Sequence, residues 1–382
     1  MLRLALSLIL VALPLGVAYG LWQRLGKVRR VPLRLVVSIT VGGMAMALLA
    51  FFVESILLGW TELSLEAHRS GDLGSLLAMF LLVAPLEEGL KVLVVWPLYS
   101  SRRLTSPRLG LVFAVATAAG FAAMESLAIL WVSPPETHPA ARLLLGLPSH
   151  LFFAGLWGYA LGSAGARRGR WFSLAWFLAM VLHGLLDHIV FGRGPGFFVL
   201  GGPVWLLMPV ATWVALRDVA PGVPEQSISR RSALLARAEP PSLRTMRDAL
   251  RKEDRPLAVH WVALGALVTL GVMIVLLAGA VYVGHRVGID FKMADEADVR
   301  SAGPLVLLGS AVLLAFPVAG YLVARASAAR TVLEPALGAS LAIAAILFLL
   351  SLTAPIAVVL VLGIAPVAFV LACGGAWFGA QR

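Results

Sequence analysis

The fold is decided by residues 76–99, whose sequence is LLAMFLLVAPLEEGLKVLVVWPLY. An apolar run of this length matches the hydrocarbon core of a bilayer, which a helix of about 20 residues crosses. Glu87, Glu88 and Lys91 interrupt the run near its middle. A charged group at the centre of a membrane helix costs about 2.5 to 3.5 kcal/mol on insertion scales, so such groups usually face a bundle interior or a water-filled cavity and serve a function. We therefore expect the rest of the chain to be organised around these three residues.

The composition of the whole chain predicts a membrane protein. Of the 382 residues, 60% are hydrophobic and only 13% are charged, whereas about 25% charged residues is usual for a soluble domain. Apolar runs long enough to span a bilayer lie at about 4–22, 35–60, 76–99, 109–132, 143–164, 171–191, 197–216, 258–284, 304–324, 333–351 and 355–379. The sequence therefore predicts an all-α polytopic integral membrane protein with about eleven transmembrane helices.

The distribution of charge predicts the orientation of the chain. The formal net charge of +11 is carried by short basic clusters between the apolar runs, which is typical of orientation signals and argues against a nucleic-acid partner. The basic clusters occupy the first, third and fifth connections, whereas the connections at 62–72 and 285–303 are acidic. We therefore expect the N-terminus outside and the C-terminus in the cytoplasm. The single cysteine, Cys373, excludes an intramolecular disulfide and a cysteine-based metal site.

A basic segment, 217–257, divides the chain into two membrane domains. It carries nine Lys or Arg residues, and from Ser242 onward apolar and basic residues separate onto opposite faces of a possible helix. Such a helix would bind anionic lipid at the cytoplasmic leaflet, although a solvated linker explains the charges equally well. The sequence thus predicts a seven-helix domain at 1–216, with a core at 76–191, and a four-helix domain of unknown role at 258–382.

Further ionisable groups interrupt the three spans that follow residues 76–99. They are Glu125 in the fourth span, His150 in the fifth, and His183 and Asp187 in the sixth. Residues four apart share a helix face, so Glu87 pairs with Lys91, Phe121 with Glu125, and His183 with Asp187. Successive helices run in opposite directions, which puts these groups between the midplane and the outer leaflet. Because exposing them all to lipid would cost about 15 kcal/mol, we expect them to share one partly hydrated cavity.

Such a cavity suits hydrolysis by an activated water molecule. Glu87 can act as a general base, and His183, oriented by Asp187, can stabilise an oxyanion or serve as a second acid–base group. The spans contain no Ser–His or Cys pairing with the character of a covalent nucleophile. Glu, His and Asp also ligate zinc, but the chain has no HExxH motif. We therefore expect no cofactor, with zinc as the alternative.

The motifs EEGLK, FAAME and HGLLD, with His150 before the last of them, resemble those of the PrsW-type intramembrane proteases, which are related to the type II CAAX endopeptidases. Each motif alone is weak, but their order on consecutive spans over about 76–190 is more specific. The resemblance implies a glutamic-type endopeptidase of the bacterial cytoplasmic membrane that cleaves membrane-anchored proteins such as anti-sigma factors.

The resemblance also implies roles for individual residues. Glu87 would activate water, with Glu88 and Lys91 in the same motif, and His183 with Asp187 would stabilise the oxyanion. Glu125 stands where the CAAX relatives carry a histidine, which makes this site more acidic. The resemblance to those relatives implies that a glutamate activates the water without a metal.

Two other functions agree with the same residues. The superfamily is thought to include a non-catalytic member, the multipass scaffold subunit of γ-secretase, and the last four helices could dock a partner. Chains of Glu, His and Lys also form relays in transporters coupled to protons or cations, although no internal repeat typical of transporters is visible. In either case the ionisable residues would join helices or carry ions without catalysis. The prediction that we carry forward is the intramembrane protease.

Overall fold

A computed structural model describes residues 2–26, 31–61, 74–75, 77–132, 146–165, 171–188, 198–219, 257–289, 303–327, 332–353 and 357–381. This part of the chain contains eleven α-helices and no strand. The helices are α1 Leu2–Leu21, α2 Leu33–Thr61, α3 Ala84–Ser100, α4 Pro107–Val132, α5 Leu147–Gly165, α6 Phe172–Asp187, α7 Phe198–Asp218, α8 Val259–Arg286, α9 Gly303–Ala326, α10 Leu333–Thr353 and α11 Ala357–Gln381. Each coincides with one of the eleven apolar runs, so the predicted all-α architecture is confirmed.

The helices have the character of a membrane protein. Five helical stretches among the described residues are long and apolar enough to cross a bilayer: Ala5–Gly26, Leu33–Thr61, Pro107–Trp131, Val259–Arg286 and Val306–Ala326. Large apolar side chains such as Phe52, Leu81 and Val370 are exposed on the outer faces of the helices. A lipid-facing surface accounts for this exposure, because lipid solvates apolar groups that water would not.

The chain folds as two units. The first consists of Met1–Gly201 with Ala215–Ser227, and the second of Gly202–Val214 with Ile228–Arg382. The predicted domain limits at 216 and 258 stay a prediction, and the predicted amphipathic helix that starts at Ser242 lies outside the described residues.

Helix α4 is the centre of the first unit, where it packs against α1, α2 and α5. At Gly43 of α2 and Gly120 of α4, an added side chain would overlap the backbone of the facing helix. The same is true at Gly110 of α4 and Gly158 of α5. Small residues allow membrane helices to approach closely, so α4 is held tightly between α2 and α5.

Helix α3 is preceded by a π-helix, Ala78–Val83. π-Helices are rare overall, but those that occur are often found at functional sites. The π-helix packs against α6 at Gly184, where an added Cβ would lie 3.2 Å from the carbonyl oxygen of Met79. This contact holds the start of α3 against α6 and presents Glu87 in the first turn of α3.

The second unit contains α8 to α11. Helices α9 and α11 approach closely at Gly320 and Gly375, where a side chain would overlap the backbone of the other helix. Glu334, in the first turn of α10, is buried, and its Oε1 accepts a hydrogen bond of 3.5 Å from the backbone N–H of Ala258 at the start of α8. This long contact joins the start of α8 to the first turn of α10.

Candidate functional site

Four helices of the first unit bring the predicted polar residues together. Glu87 and His150 lie in the first turns of α3 and α5, whereas Glu125 and Asp187 lie near the ends of α4 and α6. Because α3 and α5 begin where α4 and α6 end, these side chains meet at one end of the helices. All eight residues that the sequence analysis selected are in this cluster: Glu87, Glu88, Lys91, Phe121, Glu125, His150, His183 and Asp187.

The ammonium group of Lys91 forms the inner end of the cluster. It is fully buried, and its Nζ donates to Glu87 Oε2 at 3.1 Å, to Glu88 Oε1 at 2.9 Å and to His150 Nδ1 at 3.0 Å. It also lies 4.2 Å from the centroid of the Phe121 ring, which is a favourable cation–π distance. A buried charge is tolerated only when it is paired and hydrogen-bonded, and Lys91 meets both conditions.

Glu88 is the member of the cluster that orients His183. Its side chain is fully buried. Glu88 Oε1 accepts from Lys91 and from Nδ1 of His183, the latter at 2.9 Å, while Oε2 accepts from Nε1 of Trp157 at 2.9 Å. Trp157 is fully buried in α5. The sequence analysis did not select Trp157, since a tryptophan within an apolar span has no motif that separates it from a packing residue.

The two histidines present their second ring nitrogens to Glu87. An ionised carboxylate can only accept, so Nδ1 of His183 donates to Glu88, and Nε2 of His150 donates to Glu125 Oε2 at 2.8 Å. The remaining nitrogens, His183 Nε2 and His150 Nδ1, lie 3.6 and 3.9 Å from Glu87 Oε2. One carboxylate oxygen thus faces two imidazole nitrogens, each on a ring that a second carboxylate holds in place.

The cluster opens on the side of Glu125 and Asp187. Their side chains are 21% and 19% exposed, whereas those of Glu87 and Lys91 are 6% and 0% exposed. Asp187 Oδ2 lies 3.3 Å from Nε2 of His183. The Glu125 and Asp187 side is therefore the most accessible part of the cluster.

Glu54 of α2 is a further acidic residue at this site that the sequence analysis missed. Its Oε1 is shielded from solvent and has no hydrogen-bond partner among the described residues. The Glu54 carboxyl interacts electrostatically with Glu87, Glu125, Asp187 and His183. It is the single charged residue in the apolar run at 35–60, and this was the signal that could have found it.

The residues of the cluster fit a divalent cation. The ligand atoms of Glu87, His150 and His183 are buried and lie within 4.8 Å of one another. Two histidines and one glutamate form a known catalytic zinc set that leaves a position for water, and metal-ligating histidines usually donate their other N–H to an acceptor such as a carboxylate. Lys91 would have to give up its bond to His150 Nδ1 for that nitrogen to bind a metal.

By its fold and this cluster, the protein is a polytopic helical membrane protein with a buried centre of Glu, His and Lys side chains. Residues 31–215 match the model of a family described as "PrsW family intramembrane metalloprotease". A curated relative, "Protease PrsW" of Halalkalibacterium halodurans, is 34% identical over 113 residues, which are 29% of this chain and 51% of the relative. The chain therefore spans about half the length of that relative. No solved structure matches.

These comparisons confirm the resemblance to the PrsW family that the motifs indicated. The match over 31–215 includes every residue of the cluster, Glu54 and Trp157 among them. The helices α8 to α11 lie beyond it.

Proposed function

We propose that this protein is an intramembrane endopeptidase and that it hydrolyses a peptide bond of membrane-anchored protein substrates at Glu87. The observation that carries the proposal is the burial of Glu87 beside Lys91 and two histidines. Glu87 Oε2 accepts from Lys91 at 3.1 Å and lies 3.6 Å from His183 Nε2 and 3.9 Å from His150 Nδ1. The match to a family of intramembrane proteases supports the same reaction class.

In the proposed reaction Glu87 holds the attacking water and takes its proton. The water oxygen bonds to the carbonyl carbon of the scissile peptide, the bond from that carbon to nitrogen breaks, and the proton passes to the leaving amine. His183, protonated on both ring nitrogens, stabilises the negative charge that develops on the carbonyl oxygen through its Nε2–H, with Glu88 and Asp187 orienting its ring. Lys91 and His150 hold Glu87 in place, and Glu125 orients His150.

A divalent cation would be held by Glu87, His150 and His183. When bound, such an ion makes a coordinated water more acidic and polarises a carbonyl. Glu88 and Glu125 then fix the ring orientations of the two histidines, and Lys91 offsets part of the negative charge of the carboxylates. Glu87 is required with or without the metal, so the loss of its charge tests the proposal in both cases.

The proposed setting is the cytoplasmic membrane of a bacterium, with the N-terminus outside and the C-terminus in the cytoplasm. Glu125 lies seven residues before the end of α4, which corresponds to about 10 Å of helix at 1.5 Å per residue. Cleavage would therefore occur within the bilayer, between the midplane and the outer leaflet. Anti-sigma factors anchored by a transmembrane helix are candidate substrates, and anionic lipid would bind the segment 217–257.

The test is a comparison of new protein N-termini in membranes from cells that make the wild type, the Glu87→Gln variant or a control, Glu334→Gln. The control neutralises a buried carboxyl of the second unit, which is outside the cluster. We expect a set of internal N-termini with the wild type and with Glu334→Gln that is absent with Glu87→Gln. These N-termini would name the substrates and the depth of the cut.

Equal profiles from the wild type and Glu87→Gln, at equal levels of folded protein, would contradict the proposal. That result would favour the non-catalytic scaffold, for which partners should copurify with both proteins. Loss of the products with Glu334→Gln as well would show that the effect does not come from the cluster.

A further inference from the structure

We propose that Glu54 is a substrate-binding residue whose Oε1 accepts a hydrogen bond from a backbone N–H of the substrate. This inference rests on the proposed function, because it assumes that a peptide segment enters the cluster. It assigns a role to α2, the helix of the cluster that carries none of the sequence motifs.

The packing of α2 directs Glu54 toward the cluster. Ala47 and Ala50 pack against Leu90 of α3 and Phe121 of α4 in one buried group. Glu54 follows Ala50 by four residues and therefore lies on the same face of α2. On the facing helices, Glu87 precedes Leu90 and Glu125 follows Phe121 by about one turn. These three carboxyl groups thus form the next layer toward the open end.

The donors at the centre of the cluster are already engaged by other carboxylates. Lys91 donates to Glu87 and Glu88, and Trp157 donates to Glu88. His183 and His150 donate to Glu88 and Glu125. The charged neighbours of Glu54 include three carboxylates, which accept and do not donate when ionised. A buried acceptor without a donor is costly, so the shielded oxygen of Glu54 is suited to a donor that arrives with the substrate.

An unwound peptide segment supplies such donors. A protease must open the helix of a membrane-spanning substrate to reach its peptide bonds, and this frees backbone N–H groups from their helical partners. Each unsatisfied backbone group costs several kcal/mol in the hydrocarbon region, which holds no water to replace the lost bond. An acceptor on the wall of the site offsets part of this cost. Glu54 offers such an acceptor on α2.

The test uses a synthetic, fluorescently labelled transmembrane peptide with a Gly-Pro pair at the depth of the cluster. A series of peptides replaces one backbone amide near this pair with an ester, so that each member lacks a single N–H. Binding is measured in detergent micelles to the full-length Glu87→Gln protein, which does not cleave, and to the same protein carrying Glu54→Leu or Glu54→Gln. Each value is the dissociation constant relative to the all-amide peptide.

At one position, the ester should weaken binding to Glu87→Gln by about three- to tenfold, which is the scale of a hydrogen bond between uncharged groups. The same ester should change binding to the Glu54→Leu protein by less than about twofold. Glu54→Gln, which keeps an acceptor oxygen, should retain sensitivity to that ester. The assignment would be overturned if every ester weakened binding to the Glu54→Leu protein as much as it weakened binding to the protein that keeps Glu54. It would also be overturned if the peptide bound to none of the proteins.

Cleavage in cells separates this inference from the proposed function. If Glu54 binds substrate, Glu54→Leu should lower the yield of the Glu87-dependent N-termini by about tenfold, and Glu54→Gln should lower it less. Full yield with Glu54→Leu would overturn the role of Glu54 while the protease stands. If cells that make the wild type show no N-termini that depend on Glu87, the proposed protease function itself is contradicted.

Discussion

Replacement of Lys91 by Met should be strongly destabilising. The change keeps an unbranched side chain of similar length and removes the ammonium that donates to Glu87 and Glu88 at 3.1 and 2.9 Å. The Lys91 and Glu88 side chains are 0% exposed and that of Glu87 is 6% exposed, so water cannot replace the lost partner. Removal of one member of a buried ion pair costs about 3 to 5 kcal/mol, because the other charge is left uncompensated. We expect a decrease of this size in the free energy of unfolding.

Thermal unfolding of the purified protein in detergent, followed by tryptophan fluorescence, measures this effect. At about 2 to 4 °C per kcal/mol for a unit of this size, Lys91→Met should lower the melting temperature by about 6 to 20 °C. The exposed Arg34 supplies the control, since Arg34→Met removes a positive charge that the cluster does not use and should change stability by less than about 0.5 kcal/mol.

A double variant tests whether the ion pairs are the cause. Lys91→Met with Glu88→Gln removes the ammonium together with the charge of one carboxylate that it neutralises. It should be more stable than Lys91→Met alone by at least about 1 kcal/mol, since contacting residues couple in this way. A loss of less than about 1 kcal/mol in Lys91→Met, or a double variant that is less stable than the single one, would contradict the role of these ion pairs.

Three further predictions follow from the cluster. Trp157→Phe removes the indole N–H that Glu88 Oε2 accepts at 2.9 Å and should lower the free energy of unfolding by about 1 to 3 kcal/mol; an unchanged melting temperature would contradict this role. Gly184→Ala should displace the π-helix, because its Cβ would lie 3.2 Å from a backbone oxygen, and should therefore reduce cleavage severalfold in the membrane assay. The control is Gly279→Ala, whose Cβ would have nothing within 4 Å and which should leave cleavage unchanged. If the cluster holds a divalent cation, elemental mass spectrometry should find about one per wild-type chain and much less in His183→Ala, whereas equal metal content in both proteins would contradict that site.

The helices and most residues of the candidate site could be selected from the sequence for simple physical reasons. An apolar run of membrane-spanning length leaves the backbone no alternative to a helix, and all eleven runs form one. Charged residues inside such runs are rare enough to stand out. Glu87, Glu125 and His183 were therefore selected, and a spacing of four residues correctly joined Lys91 and Asp187 to the same helix faces.

Two of the missed features, Trp157 and the π-helix, have no signal in the sequence, and the third, Glu54, is marked only as a lone charge in an apolar run. Trp157 is distinguished from other tryptophans by its bond to Glu88, 69 positions away in the chain. The π-helix Ala78–Val83 lies within an uninterrupted apolar run, so its wider turn leaves no mark in the sequence pattern. Glu54 has no polar residue four positions away on its helix face, and its neighbours come from α3, α4 and α6.

The central claim is that Glu87 of this protein itself carries out peptide hydrolysis. The most direct measurement reconstitutes the purified wild type or Glu87→Gln into liposomes, each with one membrane protein whose new N-terminus depended on Glu87 in cells, and sequences the N-termini that form. We expect the wild type to make the same cut as in cells and Glu87→Gln to make none. An intact substrate beside folded wild-type protein, or the same cut made by Glu87→Gln, would contradict it.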